Sequence, residues 1–92
     1  MASVNQLLKR QAALKRAVSA HLDLLIGTVN KTPAQSGWYL TAKVDGKSVT
    51  RYVRASIREK AKKMTRNHTK VRELMRRLSQ VNWELLVKES AE

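Results

Sequence analysis

Between Lys43 and Arg77 the chain carries thirteen basic residues: Lys43, Lys47, Arg51, Arg54, Arg58, Lys60, Lys62, Lys63, Arg66, Lys70, Arg72, Arg76 and Arg77. Only Asp45, Glu59 and Glu73 oppose them. Cations at this density bind phosphates, because each neutralised phosphate releases a condensed counterion whatever the base sequence. On a helical wheel Lys62, Lys63, Arg66, Lys70 and Arg77 lie opposite Met64, Val71 and Leu78. They form a stripe able to follow a phosphate backbone. A solvated helix face usually mixes charges of both signs, and this one does not. Tyr39 and Tyr52 could add base stacking, with Lys43 and Thr41 reaching phosphates. A two-stranded ribbon also fits the DNA major groove. The same tyrosines, paired across a hairpin, would equally well stabilise it.

Other chemistry is poorly provided for. Asp23, Asp45, Glu59, Glu73, Glu84, Glu89 and Glu92 are scattered, with no close carboxylate pair for acid–base work. There is no nucleophile motif and no glycine-rich phosphate loop. His21 and His68 fall on the apolar seams of two different helices. Brought together they could share a metal, but two histidines without a third ligand fall short of a usual site. Each reads instead as a polar interruption that sets helix register. The absence of cysteine excludes disulfides and thiolate metal sites. The expectation is a protein that is not an enzyme, with no cofactor, metal or small-molecule substrate.

A length of 92 residues predicts a single domain, 1–92. A net charge of +12 disfavours a compact monomer unless a polyanion offsets it. No apolar run approaches the roughly 18 residues that span a bilayer. Met1 to Asn5 lacks the layout of a signal peptide, so the expected compartment is the cytoplasm. The basic stripe has no bulky apolar residues to insert into a membrane surface. Without Phe, the core must be built from Leu, Val, Ile, Ala and Met. Such small cores are marginal alone, which favours an oligomer.

Hydrophobic spacing predicts the elements that position these residues. Val4, Leu7, Leu8, Leu14, Val18, Leu22, Leu25 and Ile26 recur at threes and fours, a helix over about 3–26 that Gly27 stops. Residues 27–36, with Pro33, read as loop. Asp45-Gly46 marks a two-residue turn in a hairpin over about 37–54. That turn pairs Val44 with Lys47, Ala42 with Val49, Leu40 with Arg51 and Trp38 with Val53 on one apolar face. Tyr39 with Tyr52 and Thr41 with Thr50 fall on the wet face. Arg51 is the exception on the apolar face and must reach an edge, a carboxylate or a phosphate. Ser56 and Glu59 read as a capping box opening a helix over about 56–89. Its seam runs through Ile57, Ala61, Met64, His68, Val71, Met75, Leu78, Asn82 and Leu85, widened by Leu74 and Val81. Trp83, off that seam beside Val87, marks a protein contact.

From Gly27 onward the chain resembles a family of short bacterial and archaeal proteins of unknown function. The resemblance rests on Gly27-Thr28, Tyr39-Leu40, Asp45-Gly46-Lys47, Thr50-Arg51-Tyr52-Val53, Arg72-Glu73-Leu74, Leu78-Ser79 and Asn82. It implies an extended hairpin followed by a long charged helix. Many such relatives carry a cysteine cluster before the hairpin. This chain has Lys31 to Ser36 there, so no metal knuckle follows from the resemblance.

The sequence therefore predicts a mainly α chain of order α-β-β-α, two long helices and one hairpin, assembled into an oligomeric helical bundle. It predicts largely sequence-tolerant binding of DNA or RNA through Tyr39, Lys43, Lys47, Tyr52, Arg54, Arg58, Lys62, Lys63, Arg66, Lys70 and Arg77. Leu74, Met75, Leu78, Val81, Asn82 and Leu85 are the expected homo-oligomer interface. The alternative is an assembly or adaptor protein whose basic face docks an acidic protein.

Overall fold

The computed structural model describes residues 2–31 and 36–90. In chain order it contains α1 (Val4–Ala20), β1 (Thr28–Lys31), β2 (Trp38–Val44), β3 (Lys47–Val53), a 3-10 turn (Ala55–Ile57) and α2 (Arg58–Glu89). The three strands form one antiparallel sheet in the order β1-β2-β3. The order is thus α-β-β-β-α, which overturns the expected single hairpin between two long helices. Two compact units share α2. One holds residues 1–22 and 70–92, the other residues 23–69.

The hairpin turns as its chemistry requires. Asp45 and Gly46 both have positive φ, 51° and 79°, the type I′ requirement. This sets the register Val44↔Lys47, Leu40↔Arg51, Tyr39↔Tyr52 and Trp38↔Val53. β1 adds Thr28↔Thr41, Val29↔Leu40, Asn30↔Tyr39 and Lys31↔Trp38. It occupies a stretch expected to be loop, because Val29 is its only apolar residue and no alternation announces it. Of that loop, Thr32 to Gln35 lie outside the described residues.

Helix α1 opens on a capping box. The Ser3 hydroxyl accepts from the Gln6 amide, and the Gln6 side chain accepts from the Ser3 amide. The helix ends at Ala20, six residues before the expected stop. The His21 ring lies 2.7 Å from the Ala17 carbonyl, where its N–H satisfies one of the last free acceptors. Leu22, Leu25 and Ile26 continue the helical spacing but serve other ends. Leu24 and Leu25 are half-buried and line a cleft with Leu40, Ala42 and Val49. The Leu25 amide donates to the Met64 carbonyl at 3.0 Å, tying this segment to α2. The capping box expected at Ser56 is not where α2 begins. Ser56 lies inside the 3-10 turn, which Arg54 opens without a side-chain cap, and α2 starts at Arg58.

Gly27 is required where β1 enters the sheet. Its φ is +134°, and a Cβ there would stand 2.5 Å from the Thr41 carbonyl oxygen. Gly46 also has positive φ, but a Cβ there would meet open space. We expect Gly27→Ala to destabilise by about 2 kcal/mol or more, since strain and clash combine. Gly46→Ala should cost about 1 kcal/mol from strain alone. Urea unfolding of both variants checks the order.

Candidate nucleic-acid interface

Within the unit of residues 23–69, the sheet presents two unlike faces. Tyr39 and Tyr52 lie on one, their rings 5.7 Å apart and edge to face. Tyr52 is exposed and its ring closes over Gly37, where a Cβ would meet it at 2.8 Å. Lys43 stands exposed on the same face. Lys47 flanks the turn and Arg54 follows β3, both exposed. Tyr52 nevertheless remains 62% exposed, which leaves aromatic surface accessible on this face.

Trp38 and Val53 lie on the opposite face. Val53 is buried, and Trp38 sits beneath two cations of α2. The Lys62 ammonium lies 4.4 Å from the Trp38 ring centroid and the Arg58 guanidinium 5.1 Å. Such contacts are attractive through the ring quadrupole. Lys62 also reaches Glu59 at 3.6 Å, and its side chain is only 30% exposed. The Arg58 Nε is buried and makes no hydrogen bond among the described residues. Arg58 and Lys62 thus serve the packing of α2 on the sheet. Of the expected stripe, Lys62 is engaged with Trp38 and Glu59, and Arg58, expected among the phosphate contacts, lies beside it.

The open cations of this part of α2 are Lys60, Lys63 and Arg66, all exposed. Among the described residues none of them has a carboxylate within salt-bridge distance. They line a shallow cleft of about 450 Å3 with Asp23, Glu59, Met64 and Asn67. The Asn67 amide donates to the Asp23 carbonyl at 2.8 Å, which fixes the floor of the cleft. Lys60 was absent from the stripe drawn on the sequence. That wheel was centred on Met64, whereas the buried residue of this stretch is Ala61. Centring on Ala61, whose methyl is a weak hydrophobic signal, places Lys60 and Lys62 about 100° to either side, and Trp38 takes up Lys62.

In the other unit, Lys70 and Arg77 are exposed on α2. Glu73 takes Arg76 in a bidentate pair at 2.8 Å and Arg77 at 3.2 Å. Hydrogen bonding to the Arg76 guanidinium, with the charges of Arg76 and Arg77, holds the Glu73 carboxyl below its ordinary range. Arg77 is therefore partly committed, while Lys70 is without an ion pair among the described residues. Of the expected oligomer residues, Leu74 and Val81 are buried inside this unit, so they are core rather than free surface. Leu78 and Leu85 are half-buried, and Met75 and Asn82 are exposed. Among the described residues no three His, Cys, Asp or Glu side chains gather as a metal site. No described helix is long and apolar enough to cross a membrane.

Because Lys62 leans on Trp38 and Lys60 on nothing, their neutralisation should differ. We expect Lys62→Gln to lower stability by about 0.5–1 kcal/mol, and Lys60→Gln to stay within about 0.5 kcal/mol of the parent. Denaturant titration followed by Trp fluorescence reads both.

No family model, curated protein or solved structure matches this chain, so its function has to be drawn from the charge and geometry of the interface itself.

Proposed function

We propose that the chain is a nucleic-acid-binding protein, largely indifferent to sequence, that acts as a homo-oligomer. The supporting observation is the row Lys60, Lys63 and Arg66. Three exposed cations share one cleft with Asp23 and Glu59, and no carboxylate among the described residues lies within salt-bridge distance of them. Side chains that serve only stability would find local partners, as Arg76 and Arg77 do on Glu73. Unpaired cations instead keep their attraction for a polyanion. Lys43, Lys47 and Arg54 on and beside the sheet add positive charge, and Tyr39 and Tyr52 offer aromatic surface to unpaired bases. The absence of cysteine suits a reducing compartment, and the cytoplasm is where this reading places the protein.

The test is fluorescence anisotropy with short duplex DNA, single-stranded DNA and RNA across a salt series. The log–log slope on duplex DNA should be near −4 to −5 for about five phosphate contacts. Joint replacement of Lys60, Lys63 and Arg66 by Gln should leave helix content unchanged, since all three are exposed. It should flatten the slope by about 0.9 per lost contact, alike on all duplex sequences. Tyr52→Ala should weaken single-strand binding more than duplex binding. Absence of salt-sensitive binding to any of the three near 50 mM salt would overturn the reading and leave an acidic protein surface as the ligand.

A further inference from the structure

The unit of residues 1–22 and 70–92 is a pair of helices. Ala2 and Leu7 share a cleft with Gln80, Trp83, Glu84, Val87 and Lys88, so α1 runs antiparallel to this part of α2. Leu7 on α1 and Leu74 and Val81 on α2 are the buried seam. To one side of it the Gln11 amide donates to the Asn82 carbonyl oxygen at 2.8 Å. Turning from the seam toward this bridge, at about 100° per residue, α1 presents Val4 and Leu8 and α2 presents Met75 and Leu86. In an antiparallel pair the same sense of turn leads to the same side on both helices. These four aliphatic side chains therefore share one face, and they are 47%, 46%, 56% and 55% exposed.

Charge and geometry select what covers this face. In a chain of net charge +12, this side of the two helices carries only Lys15, Glu89 and, at its outer rim, Arg72, so two copies meeting there bring together few of the chain's cations. Leu8 lies three residues before Gln11, and Leu86 lies four residues after Asn82. Both are therefore displaced toward the same end of the pair, by about 4.5 and 6 Å. A two-fold axis along the helices exchanges the two helix positions without changing height, and so brings Leu8 onto Leu86. The face is self-complementary under that operation. Its footprint, about 25 Å by 20 Å, corresponds to on the order of 1,000 Å2 of accessible surface removed from two copies, the size at which specific interfaces begin.

We infer that a second copy of this chain packs on the Val4–Leu8–Met75–Leu86 face, closing an antiparallel four-helix bundle with Leu8 of each copy against Leu86 of the other. The inference specifies the self-association within the proposed function. The Gln11–Asn82 bridge lies inside this interface, where a polar pair fixes register. Trp83, the residue that the sequence marks for a protein contact, lies toward the other side of the pair, at the cleft with Ala2 and Leu7. It serves as the control.

Sedimentation equilibrium at micromolar concentration should give twice the chain mass for the parent and for Trp83→Glu. It should give the single-chain mass for Leu8→Lys and for Leu86→Glu. Mixing those last two variants should restore the doubled mass, because Lys and Glu then meet at one Leu8–Leu86 contact while the other stays intact. Circular dichroism follows helix content throughout. If either variant is unfolded alone, recovery of mass and helix on mixing supports the face, and failure to recover overturns it. A monomeric parent, a dimer that survives both substitutions, or a dimer lost only with Trp83→Glu would also overturn it. A monomeric parent that still binds nucleic acid removes this inference alone, and a dimer that binds none removes only the nucleic-acid reading.

Discussion

Very little buried apolar surface holds together a chain with a net charge of +12. Among the described residues the buried apolar side chains are Leu7, Val53, Ala61, Val71, Leu74 and Val81, and of these Leu7 alone is fully shielded. Burying a Val or Leu contributes about 1.5–3 kcal/mol, and Ala contributes less. Conformational entropy and self-repulsion act against that sum. The two units meet the shortage differently. Residues 1–22 and 70–92 use an aliphatic seam, a capping box at Ser3 and a bidentate pair at Glu73. Residues 23–69 leave much of their aliphatic surface in an open cleft beside the sheet and place two cations over the Trp38 ring.

The Trp38 cluster shows what that substitution implies for function. The charged ends of Arg58 and Lys62 lie over the indole and gain the attraction of the ring quadrupole. A cation held there has lost part of its hydration and its freedom, and it is a poor partner for a mobile phosphate. The basic residues of this stretch of α2 thus fall into two groups. Arg58 and Lys62 pack against Trp38, while Lys60, Lys63 and Arg66 are exposed and without an ion pair among the described residues. The formal charge counts all five alike, and only their neighbours separate them.

The same distinction explains what could be read from the sequence. The register of β2 and β3 was fully legible, because Asp45-Gly46 admits one tight turn and everything beyond it follows by counting. β1 was not, because Thr-Val-Asn-Lys has no alternation and gains its place only from an edge that β2 offers. The end of α1 was misplaced because Leu22, Leu25 and Ile26 keep helical spacing while lying outside the helix. Their apolar character serves the cleft beside the sheet or solvent-facing positions. At the interface the basic segment was evident, but the split within it was not. With Ala61 innermost, Lys60 and Lys62 flank it alike, and what separates them is the Trp38 ring on one side, a contact between distant parts of the sequence.

The sheet adds a constraint of its own. A three-stranded sheet has two edges, here β1 and β3, each presenting backbone donors and acceptors to any passing strand. Exposed Lys31 on β1, and Lys47 and Arg51 on β3, put charge along both edges and discourage such pairing. Arg51 does so from the apolar side, at the rim of the cleft lined by Leu24, Leu25 and Ile26. A guanidinium there interrupts an otherwise continuous apolar surface. Cations that keep the edges from aggregating are also cations that attract phosphates, so the charge that strains this small fold doubles as its protection. The apolar face of the helix pair has Lys15, Glu89 and, at its rim, Arg72 as its charged residues and no such guard among its apolar side chains, and the proposed self-association is placed there rather than along the sheet.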